Sequence, residues 1–207
     1  MMQCIIDDLH RLAEDCGEPY SRMLSIDLEE GDPAYVKWFL ASFLYSKPIR
    51  EESATKTYRL FEENRLTSAD AIVHAGWDRL VEILDKGGYA RYDYSTADRL
   101  LLIFGNLQKE YGGSLVRLYR ESKNEQDLEA RLMRLGKGIG PVTISVFLRD
   151  MRHVWPVADP EPTAKIRAEM SSLGIDDLKK YAREQGIDIV RLETALHRRS
   201  SSIKRRS

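Results

Sequence analysis

Residues 132–159 read LMRLGKGIGPVTISVFLRDMRHVWPVAD and hold most of the information in this chain. Leucines recur at helical spacing before the turn, an apolar helical pattern follows it, and three glycines crowd the turn itself, Gly136, Gly138 and Gly140. Glycine permits positive φ and close backbone approach, and Pro141 suits a first helical turn because its missing N–H has no partner there. The stretch therefore predicts two helices joined by a tight turn over residues 132–149.

The start of the second helix is a candidate anion site, since exposed N–H groups and the helix dipole together hold phosphate oxygens. Two nucleotide-cofactor motifs are excluded. The dinucleotide fingerprint needs glycine where Pro141 stands and a strand before the turn, and the P-loop needs Gly-Lys-Ser/Thr after four spacer residues. A glycine-rich connector without a ligand explains the turn alone equally well.

The rest of the chain is helical in pattern, and it predicts an all-α fold of roughly ten short helices. Ile5, Leu9, Leu12, Ala13 and Cys16 form one face of a first helix that Gly17 and Pro19 end. Asp32 is expected to cap the next helix, with Pro33 at its first position. Val and Ile never alternate over the length of a strand.

The motif Gly138-Ile139-Gly140-Pro141-x-Thr143, with an apolar helix and then Asp159, resembles the helix-hairpin-helix DNA glycosylases of the endonuclease III and 3-methyladenine glycosylase type. Weaker similarity at residues 38–49 and 84–100 extends the resemblance over residues 34–170. The family fold implies a six-helix barrel-like domain at 33–153 and a second helical lobe from 1–32 with 154–207, the DNA lying in the cleft between them. The basic tail, 197–207, is expected to fray, with phosphate contacts as the alternative.

The resemblance implies DNA-backbone binding by the hairpin residues Gly136, Lys137, Gly138, Ile139, Gly140 and Thr143. It also implies that Asp159 is the catalytic carboxylate. A carboxylate beside the anomeric carbon stabilises the positive charge that develops on the sugar when an N-glycosidic bond breaks. The alternatives are that Asp159 is a helix cap, or that Asp150, placed nearer the solvated end of its helix, takes the role.

Three departures from the family pattern stand in this chain. Members that also cut the strand use a lysine two positions after the last hairpin glycine, and here that residue is Val142, which has no nucleophile. Gly136 replaces an apolar residue, for which Leu132 and Leu135 are expected to compensate. Pro160-Glu161-Pro162 replaces the usual threonine–histidine continuation. The missing lysine indicates a monofunctional glycosylase.

Base extrusion needs a wedge and a stacking pocket. The candidates are Tyr45, Lys47, Tyr89, Tyr92 and Trp155, and Lys47 occupies the position at which many relatives carry a gap-filling glutamine. The competing interpretation is a surface turn at Lys47 and core packing for the aromatic rings. For Trp155 we favour packing between the lobes.

Composition gives little sign of a nucleic-acid partner. Lys and Arg number 32 against 33 Asp and Glu, and five of the basic residues lie in the tail, which leaves 27 against 33 elsewhere. Two cysteines cannot supply an iron–sulfur cluster, so no cluster and no metal are expected. A monovalent cation at the hairpin is the one candidate cofactor. No segment predicts a membrane span or a signal peptide, so we expect a reduced, cytoplasmic protein, nucleoid-associated if prokaryotic.

These observations predict a monofunctional base-excision DNA repair glycosylase that acts on a damaged or mismatched base in double-stranded DNA. We expect a monomer without membrane contact. The first alternative is a DNA-binding protein of the same fold that lacks catalytic activity. A more remote alternative is a helical protein–protein module whose glycine turn is only a connector.

Overall fold

The structure is a computed structural model that describes residues 8–203, with side chains described from 8 to 200. The described residues contain α-helices and no strand, which confirms the all-α prediction. In chain order the α-helices are α1 (Leu9–Cys16), α2 (Tyr20–Met23), α3 (Asp32–Tyr45), α4 (Glu51–Glu63), α5 (Ala69–Leu84), α6 (Asp93–Tyr111), α7 (Leu115–Glu121), α8 (Glu125–Arg134), α9 (Pro141–Met151), α10 (Ala164–Ser172), α11 (Leu178–Gln185) and α12 (Ile189–Ile203). A 3₁₀ turn at Leu28–Glu30 and a π turn at Asp85–Tyr89 complete the order.

The chain divides into two compact units. One is Leu24–Asp159, and the other joins the N-terminal segment ending at Met23 to the C-terminal segment beginning at Pro160. These divisions fall at 23/24 and 159/160, whereas the sequence placed the barrel domain at 33–153. The larger unit contains both the glycine turn and Asp159.

The larger unit is built around α3, whose residues from Ala34 to Leu44 are almost all buried. Phe39 meets the edges of Phe104 on α6 and Phe147 on α9, at centroid distances of 6.1 and 5.1 Å. The indole N–H of Trp38 donates to the backbone oxygen of Phe147 at 3.0 Å. Because a buried indole without an acceptor would leave its donor unsatisfied, this bond fixes how α9 lies against α3.

The smaller unit has its own core, in which α1 and α10 pack against α12. Its buried side chains include Leu12, Ile166, Met170, Leu192 and Leu196. Cys16 is buried in this core. Ile5, which the sequence placed on the face of the first helix, lies outside the described residues, as does Cys4.

One helix-end prediction needs correction. Asp32 does not cap its own helix: its Oδ1 accepts from the N–H groups of Leu115 and Val116 at 2.8 and 2.9 Å, at the start of α7. An aspartate carboxylate can accept from the unpaired N–H groups at the start of any helix that lies beside it. Here that helix begins 83 residues further along the chain. Two helical segments meet within α5 at Gly76, whose φ of 72° and ψ of 173° are not helical.

The basic tail is also corrected, because α12 continues through its first residues. Arg198 donates to the backbone oxygens of Cys16 and Glu18 at 2.7 and 2.8 Å, and Arg199 pairs with Glu169 at 3.1 Å. Both side chains therefore stabilise the smaller unit instead of fraying. The remaining basic residues, Lys204, Arg205 and Arg206, lie outside the described residues.

Candidate functional site

The glycine turn joins α8 to α9, as the sequence predicted. Gly138 has φ of 109°, a conformation that L side chains rarely adopt, so glycine is required there. Gly140 is the N-cap of α9 and provides no side-chain cap, and Pro141 occupies the first helical turn. The exposed Val142 follows, with 48% of its surface accessible. The start of α9 thus has backbone N–H groups without a side-chain cap, the arrangement that favours an anion.

Gly136 is explained by close packing of the turn on α6. A Cβ at Gly136 would lie 2.7 Å from Cγ1 of Ile103, closer than real side chains approach. Asn106, one turn further along α6, donates its side-chain N–H to the backbone oxygen of Leu135 at 2.9 Å. Leu132 and Leu135 are fully buried, as the compensation argument expected. The glycine is therefore a packing requirement of this chain.

Thr143 holds the hairpin to α3 and does not face solvent. Its side chain is 2% exposed, and its hydroxyl donates to the hydroxyl of Ser46 at 2.8 Å. The side chain of Thr143 was expected to reach the DNA backbone, and its burial corrects that expectation. Ile139 is likewise 7% exposed, whereas Lys137 is exposed at the tip of the turn.

Lys47 lies against the glycine turn, in contrast to the wedge position expected for it. Its ammonium donates to the backbone oxygen of Gly138 at 3.2 Å and sits 3.8 Å above the centre of the Phe43 ring. Burial, and then repulsion from Arg99, lower the pKa of Lys47 to about 8. With these two contacts, the Lys47 side chain supports the turn and is not available to fill a gap in a base stack.

Asp159 is the last residue of the larger unit, and its carboxylate is part-exposed at 38%. Its Oδ1 lies 3.6 Å from Nε of Arg152, at the end of α9. Thr163, not Asp159, caps the following helix, accepting from the N–H of Ile166 at 3.4 Å. The cap interpretation of Asp159 is therefore wrong.

Asp150 is not the solvated alternative that the sequence suggested. Its carboxylate accepts from Nε of Arg149 at 3.1 Å, and both side chains are 1% exposed. An aspartate held in a buried ion pair has no access to a sugar in this conformation. Asp159 is left as the accessible one of the two.

Two of the aromatic candidates are core residues. Tyr89 is fully buried, and its hydroxyl donates to the backbone oxygen of Leu44 at 2.7 Å. Trp155 is 2% exposed and stacks on Tyr119 at 4.6 Å, with edge contacts to Tyr35 and Phe147. All three of these rings belong to the larger unit. Neither ring is available to stack on a base in this conformation.

The other two candidates are part-exposed. Tyr45 shares a hydrogen bond of 2.6 Å with the hydroxyl of Thr55 on α4. Tyr92 precedes α6, with the guanidinium of Arg91 6.0 Å from its ring centre. These two remain candidates for contact with a base.

Two features on α6 add to the sequence analysis, and of these Arg99 was missed there. Arg99 packs on the turn, since a Cβ at Gly138 would lie 2.8 Å from its Cδ. Tyr94, 61% exposed, lies 5.2 Å from the ring of Trp77, whose indole donates to Asp98 at 2.9 Å. Each arises from packing between distant segments, and only the tyrosine-rich stretch around Tyr94 gave a sequence signal.

Membrane spans and metal clusters are not found in the part of the chain that the structure describes. None of the helices there is long and apolar enough to cross a bilayer. The same residues contain no group of three or more His, Cys, Asp or Glu side chains that could hold a metal ion.

The fold matches that of a solved structure, H. pylori 3-methyladenine DNA glycosylase (MagIII) bound to 1,N6-ethenoadenine. The TM-score is 0.56, and the match covers 97% of this chain and 98% of that chain at 16% sequence identity. Neither a family model nor a curated protein matches the chain. The helix-hairpin-helix glycosylase resemblance is thus confirmed at the level of the fold.

Proposed function

We propose that this chain is a monofunctional DNA glycosylase, which removes a damaged or mismatched base by hydrolysing its N-glycosidic bond. The observation that carries the proposal is the placement of Asp159. Its part-exposed carboxylate lies in the same compact unit as the glycine turn, in a chain with the fold of a DNA glycosylase. The fold match supports a DNA substrate, since the matched protein is a DNA glycosylase.

The proposed chemistry is a displacement at the anomeric carbon of the extruded nucleotide. The bond between C1′ and the base nitrogen breaks, and the electron pair leaves with the base. Water adds to C1′, and the proton that the water loses ends on the released base. The Asp159 carboxylate stabilises the positive charge on the sugar and positions that water. The product is an abasic site in an intact strand, because Val142 offers no amine at the position used for strand cleavage.

The hairpin is proposed to bind the DNA backbone through its turn and the start of α9. Of the expected residues, Gly136, Lys137, Gly138 and Gly140 have exposed or part-exposed surface, whereas Ile139 and Thr143 are buried. A monovalent cation at the turn stays a prediction. The backbone oxygen of Gly138 is a poor ligand for one, because it already accepts from the Lys47 ammonium.

The partner is proposed to be double-stranded DNA that contains a lesion, bound by a monomer in the cytoplasm or nucleoid. Contacts to phosphates position such a protein without specifying sequence, so affinity is expected to fall with salt. Identification of the lesion follows from activity measurements on a substrate panel.

The test is incubation of the protein with duplexes that carry alkylated, oxidised or deaminated bases, followed by alkali to reveal abasic sites. We expect release of at least one base, with strand breaks only after alkali. Asp159→Asn should abolish release. The matched control is Asp127→Asn, which removes another part-exposed aspartate paired with arginine, 3.0 Å from Arg131, away from the hairpin turn. Equal rates for the parent and Asp159→Asn would refute the mechanism.

The second candidate is a DNA-binding protein of this fold without catalytic activity. The pairing of Arg152 with Asp159 favours it, because a neighbouring guanidinium offsets the negative charge that the reaction needs. Salt-dependent binding to abasic or bulged duplexes, with no base released from any lesion, would select this candidate.

A further inference from the structure

Two cations approach Gly138 from different segments of the chain. Lys47, just after α3, donates its ammonium to the Gly138 oxygen at 3.2 Å. Arg99, on α6, lies against the Cα side of the same residue, with Cδ 2.8 Å and Nε 3.4 Å from the position that a Cβ would take. The third nearby cation is Lys137, which precedes Gly138 in the turn and is exposed.

Neither Lys47 nor Arg99 has a carboxylate partner in the part of the chain that the structure describes. The ion pairs among those residues involve other arginines and lysines, and the groups that touch Lys47 are a carbonyl and an aromatic ring. The hairpin residue Thr143 and Ser46, which directly follows α3, form a hydrogen bond, and both side chains are uncharged. Arg99 is thus the charged group acting on Lys47, and it repels.

This arrangement raises the energy of the positive charge on Lys47. Burial removes water from the ammonium, and Arg99 adds repulsion, and together they lower its pKa from 10.5 to about 8. An anion placed between the two cations would relieve both effects, since it would pair with each. Such a cation pair next to a turn that is a candidate phosphate binder indicates where a phosphate would sit.

We propose that Lys47 and Arg99 together bind one phosphate of the DNA backbone at the hairpin, in addition to any phosphate held by the N–H groups at the start of α9. The proposal rests on the proposed function for its ligand, a DNA phosphate. Lys47 is then a binding residue and not a wedge, and it acts from beside the turn.

The site couples DNA binding to uptake of a proton. At pH 8 about half of the free protein carries a neutral Lys47, and a bound phosphate restores its charge, so binding takes up about half a proton. Between pH 7 and pH 9 the charged fraction falls about tenfold, and the affinity that depends on it falls by up to about tenfold.

The first experiment measures the affinity for a fluorescent duplex with an abasic-site analogue as a function of salt and pH. Lys47→Gln and Arg99→Gln should each reduce the slope of log affinity against log salt by about 1. Lys109→Gln is the matched control, since it removes a cation from the same helix about 15 Å further along its axis, and should leave the slope unchanged. Lys47→Arg should keep the slope and lose the pH dependence between 7 and 9.

The second experiment follows the ammonium of Lys47 by NMR, with Lys137 as the internal comparison, while inorganic phosphate or the abasic duplex is added. We expect the pKa of Lys47 to rise from about 8 with either probe. No rise with either probe, or unchanged salt slopes in both glutamine variants, would overturn the phosphate site. A rise with inorganic phosphate but no binding of any duplex would keep the anion site and refute the proposed DNA function.

Discussion

The guanidinium of Arg152 lies 3.6 Å from the carboxylate of Asp159, and 7% of the arginine side chain is exposed against 38% of the aspartate. An ion pair with one partner open to water contributes little to stability, because solvent screens it. The arginine orients the carboxylate from the end of α9 without burying it. This relationship lets the contribution of Asp159 to folding be measured apart from the catalytic role proposed for it.

Asp159→Asn should change the free energy of unfolding by less than about 1 kcal/mol, because the amide occupies the same space and the pair is screened. Thr163→Ala should cost about 1 kcal/mol, because it removes the cap of α10. Urea denaturation of both variants checks this. A loss of several kcal/mol for Asp159→Asn would mean that its loss of activity could not be assigned to catalysis.

The three hairpin glycines should respond differently to alanine. Gly136→Ala should cost about 1–3 kcal/mol, because its Cβ would lie 2.7 Å from the Ile103 side chain. Gly138→Ala should cost at least about 1–2 kcal/mol, because φ is 109° and Arg99 is close.

Gly140→Ala serves as the contrast. No atom lies within 4 Å of the added Cβ, and φ is −125°, so the variant should be as stable as the parent within about 0.5 kcal/mol. It should nevertheless bind abasic duplex less tightly, because the methyl group fills the space beside the start of α9. Thermal unfolding and anisotropy measurements check the set, and equal destabilisation by all three alanines would contradict this packing.

The pH dependence of the free energy of unfolding should show the lowered pKa of Lys47. Its pKa is about 8 in the folded chain and near 10.5 when unfolded, so between these values the unfolded chain binds more protons. The parent should therefore gain stability relative to Lys47→Gln as pH rises from about 8 to 10.5. Paired urea titrations across this range measure the difference. A constant difference, or one that shrinks as pH rises, would show that the pKa of Lys47 is not lowered.

Arg199→Ala should destabilise the protein by about 3 kcal/mol or more, because Arg199 and Glu169 form a pair whose side chains are only 10% and 9% exposed. The affinity for DNA per folded molecule should not change. Denaturation and binding measurements on the same preparation separate the two effects. A loss of affinity for DNA with an unchanged free energy of unfolding would instead show that Arg199 contacts DNA, which was the alternative for the basic tail.

Local patterns allowed good prediction of the hairpin, because glycine conformation, proline position and leucine spacing are encoded within a few residues. Side-chain roles that depend on packing between distant segments were not predictable in the same way. Lys47 was a wedge candidate because many relatives carry a gap-filling glutamine at its position, with a surface turn as the alternative, yet its ammonium donates to the oxygen of Gly138, 91 residues later. Arg99 gave no sequence signal, since its role arises only where α6 meets the turn.

The same reason explains the misassigned aromatic and acidic residues. The local sequence around a tyrosine such as Tyr89 does not show whether its ring is buried or exposed, because burial depends on the whole fold. Asp32 was correctly identified as a capping residue, but its partner helix α7 was not the adjacent one. Asp159 was assigned from the resemblance to the glycosylases and its place after the hairpin, and the structure adds Arg152 as its neighbour.

The stacking of Trp155 on Tyr119 fixes the chain path four residues before Asp159, and Ala158 closes the turn by donating its N–H to the Trp155 oxygen at 2.8 Å. The backbone at 159 is thus determined upstream, whichever side chain follows. In evolutionary terms, a substitution at position 159 would change the proposed reaction while the fold is kept. On the proposed function, a lineage could lose or regain base excision by a single substitution and keep the same DNA-binding protein throughout.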